Sequence, residues 1–182
     1  MSTEVLPFEL KISDWPAKAE LYDLSTSSNS KAVIEEFLCE EFDTEISFTI
    51  GEIDFLSGYP EAFILPLHAF LRSVSGGLKA LIEEGESEVS IYLQQYNTKE
   101  GDPSHKMQWS LNGTNVNISF QWGGQVEVPA HLKELGTVTV TASNLHEKIT
   151  SAVNAYSQKI VFLLGGRNDW QGDAITTLFE GF

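Results

Sequence analysis

Apolar residues recur along this chain with two different periods, and the changes of period divide it into strands and helices. Alternate positions are apolar at Leu6, Phe8, Leu10 and Ile12, at Ile46, Phe48 and Ile50, and at Val89, Ile91 and Leu93. A period of two puts successive side chains on opposite sides of a pleated strand, so each run predicts a strand with one buried face. Pro7 has no N–H to give a ladder, which limits the first strand to an edge or a strand start. Thr137–Ala142 alternates in the same way. Gly51, ahead of Ile53 and Phe55, predicts a bulge through which the second strand continues. Ser57-Gly58-Tyr59-Pro60 reads as a turn.

The strongest local unit is a hairpin. Met107, Trp109 and Leu111 alternate before Asn112-Gly113, and Val116, Ile118, Phe120 and Trp122 alternate after it. Asn-Gly supports the positive φ angles of a tight hairpin turn. With those two residues as the loop, Trp109 faces Val116; a four-residue loop shifts the register and keeps the same faces together. Gly123-Gly124 turns the chain again, and 126–128 is a candidate short strand ahead of Pro129.

Helical spacing appears three times. In 31–42, Val33, Ile34, Phe37, Leu38 and Phe42 share a face opposite Glu35, Glu36, Glu40 and Glu41. In 66–84, Leu67, Phe70, Leu71, Val74, Leu78, Leu81 and Ile82 form a stripe, with Pro66 suited to the first helical position and Gly85 to the stop. Gly76-Gly77 interrupt that stripe, each weakening the helix by about 1 kcal/mol relative to Ala. Close packing on a sheet or a ligand at the bare backbone would account for them. In 145–164, Leu145, Ile149, Val153, Tyr156, Ile160, Leu163 and Leu164 line up, the unbroken period favouring helix over a strand at Ile160 to Leu164, and Asn144 with Glu147 resembles a capping box.

Strands arriving as antiparallel neighbours, with two strong helices inserted, predict an α+β fold: an antiparallel sheet of about five to seven strands with two main helices packed on it. The 182 residues, 42% of them hydrophobic, suit one domain over 1–182 with a packed core.

Charge changes the functional picture. There are 26 acids against 11 bases, a formal charge of −15. Nucleic acid and anionic membranes repel such a chain, so neither is expected as a partner, whereas a basic protein is attracted. The lone Cys39 excludes an intrachain disulfide and a cysteine-based zinc site, and it reads as a small buried apolar residue. The segment Met1-Ser2-Thr3-Glu4-Val5 lacks the basic and apolar regions of a secretory signal, and no apolar run approaches a membrane span. The expectation is a protein of the reducing cytoplasm. The sequons at Asn112 and Asn117 are then coincidental.

Catalytic chemistry has no local signature. The nucleophile elbow, phosphate loop, dinucleotide fingerprint and zinc-protease helix motif are all missing. His68, His105, His131 and His146 lack partners at ligand spacing. No enzyme, metal or cofactor is expected.

One stretch departs from the average. From Ala32 to Leu71 there is no Lys or Arg, yet there are nine acids. Such a run is either a solvated face or a docking surface whose carboxylates steer and then pair with a cationic protein. For docking, the candidate contacts are Glu35, Glu36, Glu40, Glu41, Asp43, Glu52 and Asp54, with Phe55 and Tyr59 as aromatic anchors inside the charged rim. In size and acidity the chain resembles bacterial immunity proteins, although it matches no motif of theirs. The resemblance implies stoichiometric inhibition of a basic toxin such as a nuclease. Two other classes stay open. One is a small-molecule site or enzyme near Trp109, Trp122, Gly123, Gly124 and His105. The other is a homo-oligomer in which a twin buries surplus Trp on the second sheet face.

Overall fold

The computed structural model describes residues 4–14, 45–59, 63–64, 67–92, 94–95, 103–123 and 127–163. The helix expected at 31–42, Cys39, Pro66, Gly124 and the five acids from Glu35 to Asp43 lie outside them.

The fold is α+β, as the alternation of periods predicts, and its strands fall into two main antiparallel sheets. The first contains β1 (Phe8–Asp14), β2 (Glu45–Ile50) and β3 (Ile53–Asp54), in that order. The second contains β5 (Glu86–Tyr92), β7 (Pro103–Asn112), β8 (Asn115–Trp122) and β9 (Val138–Thr141), in the order β5-β7-β8-β9. A two-stranded ribbon pairs β4 (Phe63–Ile64) with β6 (Gln94–Gln95). The main sheets meet where Val5 forms a parallel bridge with Thr139 and the Leu6 N–H donates to the Thr139 carbonyl at 2.7 Å. Two long helices, α1 (Leu67–Glu84) and α3 (Ala142–Leu163), pack against the sheets, and α2 (Ala130–Lys133) is a single turn.

The core is one contiguous cluster. It draws Phe8, Leu10, Phe48 and Ile50 from the first sheet, Val89, Met107, Trp109, Val116 and Ile118 from the second, and Leu67 to Leu81 of the α1 stripe with Leu145, Ile149, Val153 and Tyr156 of α3; Ile82, expected on the α1 stripe, is instead 59% exposed. Strand alternation decides this, because the same-parity residues of β7 and β8 all point to the helix side. The opposite face of the second sheet is polar throughout: Glu88, Gln108 and Ser119 form one cross-strand row, and Ser90, Lys106 and Gln121 the next. Both hairpin tryptophans belong to the inner face, Trp109 at 1% exposure. Among the described residues, the outer face of this sheet therefore carries no tryptophan.

Four local expectations are corrected. Gly51 does not bulge a continuing strand. With φ at +61° it sits in a tight reversal, so that β3 runs back along β2 and pairs Ile50 with Ile53. A positive φ is cheap only for a residue without Cβ, which is why the chain turns there. In the hairpin, Leu111 faces Val116 and Trp109 faces Ile118, the register expected of the longer loop, but Asn112 pairs with Asn115, so that the turn is the two residues Gly113-Thr114 rather than Asn112-Gly113, with Gly113 at φ +63°. The third concerns the start of α3. Thr141 caps it, its Oγ1 accepting the Asn144 N–H at 3.2 Å. Asn144 instead reaches across the fold and accepts the Phe8 N–H on Oδ1 at 2.7 Å, tying β1 to the helix. Val128 lies in an irregular segment rather than a strand.

Candidate functional site

The reversal at Gly51 lifts two of the expected docking carboxylates into solvent. Glu52 occupies the turn and Asp54 ends β3, both exposed. Asp54 Oδ1 accepts the N–H groups of Leu56 at 2.9 Å and Ser57 at 3.3 Å, which fixes its orientation in the loop. The Asp54 carbonyl meets His131 Nε2 at 3.0 Å, pinning the loop to α2.

The two aromatic anchors do not stand beside these acids as a free rim. Phe55 is a core residue, 3% exposed and stacked on Phe48 at a centroid distance of 4.6 Å. Alternation explains the difference: Asp54 faces out, so its neighbour Phe55 turns in, and aromatic burial outweighs any surface role. Tyr59 is half-buried, and its hydroxyl lies 2.5 Å from His105 Nε2. Burial pushes the Tyr59 phenol up to about 12.

Tertiary structure builds a second acidic corner that the run from Ala32 to Leu71 does not include. Helix α1 ends in Glu83-Glu84, Gly85 turns the chain with φ at +82°, and β5 begins with Glu86 and reaches Glu88. The Gly85 N–H donates to the Leu81 carbonyl at 3.0 Å, closing the helix with a left-handed glycine. Among the described residues, no Lys or Arg forms an ion pair with Glu52, Asp54, Glu83, Glu84 or Glu86. Other acids are paired. Glu88 meets Lys106 Nζ at 2.5 Å and accepts from Gln108 Nε2 at 2.6 Å. The bond from Lys106, chief among the causes, holds its carboxyl below the usual range. Glu9 is held low chiefly by its bond to Lys148, at 3.0 Å.

The hairpin region is an aromatic cluster rather than an open cleft among the described residues. His105, 2% exposed, has the Trp122 ring edge-on at 5.0 Å. Phe120 stacks on Trp122 at 5.4 Å and approaches Phe55 at 5.0 Å. Trp109 fills the core between the sheet and α1. Of the other histidines, His68 is buried between the long helices, its Nδ1 2.7 Å from the Tyr156 hydroxyl. Burial, aided by the Arg72 charge, lowers its pKa to about 4. Among the described residues, no group of three His, Cys, Asp or Glu side chains could hold a metal ion. No described helix is long and apolar enough to cross a membrane.

No family model matches the chain, and no curated protein or solved structure matches it either. The functional reading therefore rests on the residues themselves. Sequence spacing located Glu52 and Asp54. It missed the corner at Glu83–Glu86 as part of a surface, because only the α1–β5 turn brings a helix end and a strand edge together. It also missed the pairing of Tyr59 with His105, which are 46 residues apart.

Proposed function

We propose that this chain is an acidic protein-binding module that docks a basic protein and acts by occupying its surface, as an inhibitor of a cationic toxin or nuclease would. The observation that carries the reading is the set of exposed carboxylates at two corners, Glu52 with Asp54 and Glu83 with Glu84 and Glu86, which this chain's own described bases leave unneutralised. With a net charge of −15, the field around these corners draws a cationic surface in and orients it before contact. The ion pairs formed on docking involve carboxylates that no described Lys or Arg has to release. The polar outer face of the second sheet fits a soluble, wet interface, and the Trp109 side chain, 1% exposed, is spent on the core.

The test is capture from a native lysate at low ionic strength, with the wild-type protein and two charge reversals compared side by side. One reversal is Glu52→Lys with Asp54→Lys, the other Glu83→Lys with Glu86→Lys. The expected captured protein is basic, is released as salt shortens the screening length from about 10 Å at 0.1 M to about 3 Å at 1 M, and binds at least one of the reversals about tenfold more weakly. Retention indifferent to salt and to both reversals would overturn the reading.

A further inference from the structure

The second sheet has two edges, and they are treated differently. The outer edge of β9 is covered, because Val5 bridges to Thr139 and the Leu6 N–H bonds to the Thr139 carbonyl. No described residue covers the beginning of the outer edge of β5. The Leu111 N–H donates to the Gly85 carbonyl at 2.7 Å, and Glu86 faces Ser110 across the ladder. This phase directs the backbone groups of Ser87 and Val89 toward β7, and those of Glu86, Glu88 and Ser90 away from the sheet. The Ser90 N–H is met at 2.8 Å by Ser73 Oγ from α1. Beyond it the chain passes into β6, which pairs with β4. Glu86 and Glu88 are left, both exposed, with backbone N–H and C=O groups that no described residue meets.

Alongside that edge runs a trough of about 450 Å³, bounded by α1 and lined by Ala69, Arg72, Ser73, Gly76, Ala80 and Glu88. Apart from His68 and Arg72, the α1 wall is made of small side chains, and Gly76 has no described atom within 4 Å of where a Cβ would stand. Packing against the described residues therefore does not require a helix-weakening glycine at this position, and the open side leaves space for a neighbouring chain. The approach to the edge is acidic: Glu84, Glu86 and Glu88 line a second hollow, of about 410 Å³, that shares Glu88 with the trough. Open strand edges pair readily with another chain, and natural edges are usually covered or blocked.

We propose that an extended segment bearing Lys or Arg, belonging to the basic partner, adds as a further strand along β5 at Glu86–Glu88 and lies in the trough beside α1. This rests on the reading of a basic partner and specifies how that partner is held. Backbone hydrogen bonds to Glu86 and Glu88 supply the pairing. Glu84 and Glu86 receive cationic side chains, and Gly76 gives the added strand room.

The experiment uses the full chain and the probe acetyl-Lys-Val-Lys-Val-Lys-amide, followed by amide chemical shifts and hydrogen exchange. Binding is expected to shift and protect the amides of Glu86 and Glu88. The same peptide with N-methylated inner amides keeps its charge and side chains but cannot pair as a strand, and it is expected to bind about tenfold more weakly or worse. Gly76→Leu, which fills the trough from an exposed position, and Glu86→Pro, which removes one outward N–H at an edge, are expected to weaken the parent peptide to a similar degree. Urea unfolding verifies that each variant is folded, and either variant alone suffices. Equal binding of the two peptides, or binding unaffected by Gly76→Leu, overturns the edge pairing. If salt-sensitive binding survives methylation and vanishes with Glu52→Lys and Asp54→Lys, the acidic module stands and the strand addition falls. If no binding is seen at any salt concentration, the strand addition falls, and lysate capture decides the module separately.

Discussion

Adjacent glycines in α1 should respond in opposite directions to the same substitution. At Gly76 a new Cβ meets nothing within 4 Å, so Gly76→Ala brings only the helix-propensity gain, about 1 kcal/mol of stabilisation. At Gly77 the new Cβ would overlap Val89 Cγ2, with Ser87 Oγ and Trp109 Cζ3 both at 3.6 Å. Val89 cannot yield easily. It is fully buried, its β-branched side chain is stiff at χ1, and Trp109 beside it is 1% exposed. Overpacking of this kind costs about 1–3 kcal/mol, and a clash against a stiff neighbour lies at the upper end of that range. After the same propensity gain, Gly77→Ala should be destabilised by about 1–2 kcal/mol, placing the two variants about 2–3 kcal/mol apart. Urea unfolding followed by tryptophan fluorescence measures the gap, and for a chain of this size each kcal/mol also moves Tm by about 2–4 °C. Trimming the obstacle with Val89→Ala should rescue Gly77→Ala, so that the double variant is more stable than the sum of the single losses predicts. If Gly77→Ala proved as stable as Gly76→Ala, or the pair with Val89→Ala were simply additive, the close approach of α1 to β5 would be wrong.

Two titrations probe the buried polar pairs. His68 folds neutral, with its pKa lowered from 6.5 to about 4 by burial and by Arg72, so the unfolded chain binds more protons below pH 6.5. Stability attributable to His68 is therefore intact above pH 6.5 and is lost progressively down to pH 4, by about 3 kcal/mol. Unfolding of wild type and His68→Gln across that window should show the wild type falling more steeply by this amount; parallel curves would refute it. Tyr59, raised by burial to about 12, should ionise later than a free phenol in an ultraviolet difference titration. A spectrum in which Tyr59→Phe removes a phenol titrating near pH 10 would show that the Tyr59 hydroxyl is not enclosed.

What the amino-acid order determined by itself was the local layer of this protein. The period of two in β1, β2 and β7–β8, and the period near 3.6 in α1 and α3, already say which side chains face inward. Side-chain direction depends only on neighbouring backbone angles, and burying an apolar face is favourable whatever lies opposite. The glycine that ends α1 was legible for the same reason. Tertiary structure decided whatever needed a partner distant in sequence. Asn144 reads locally as a cap, yet the Phe8 N–H, 136 residues away, claims its side chain, and Thr141 takes over the capping. Phe55 reads as a surface aromatic, yet Phe48 and Phe120 provide a buried place for it. Glu83 to Glu88 carry no local signal of a shared surface, and only the turn at Gly85 sets them together beside a strand edge that no described residue covers. A backbone period fixes a direction over a few residues, whereas the identity of the surface met in that direction is set by the packing of the whole chain.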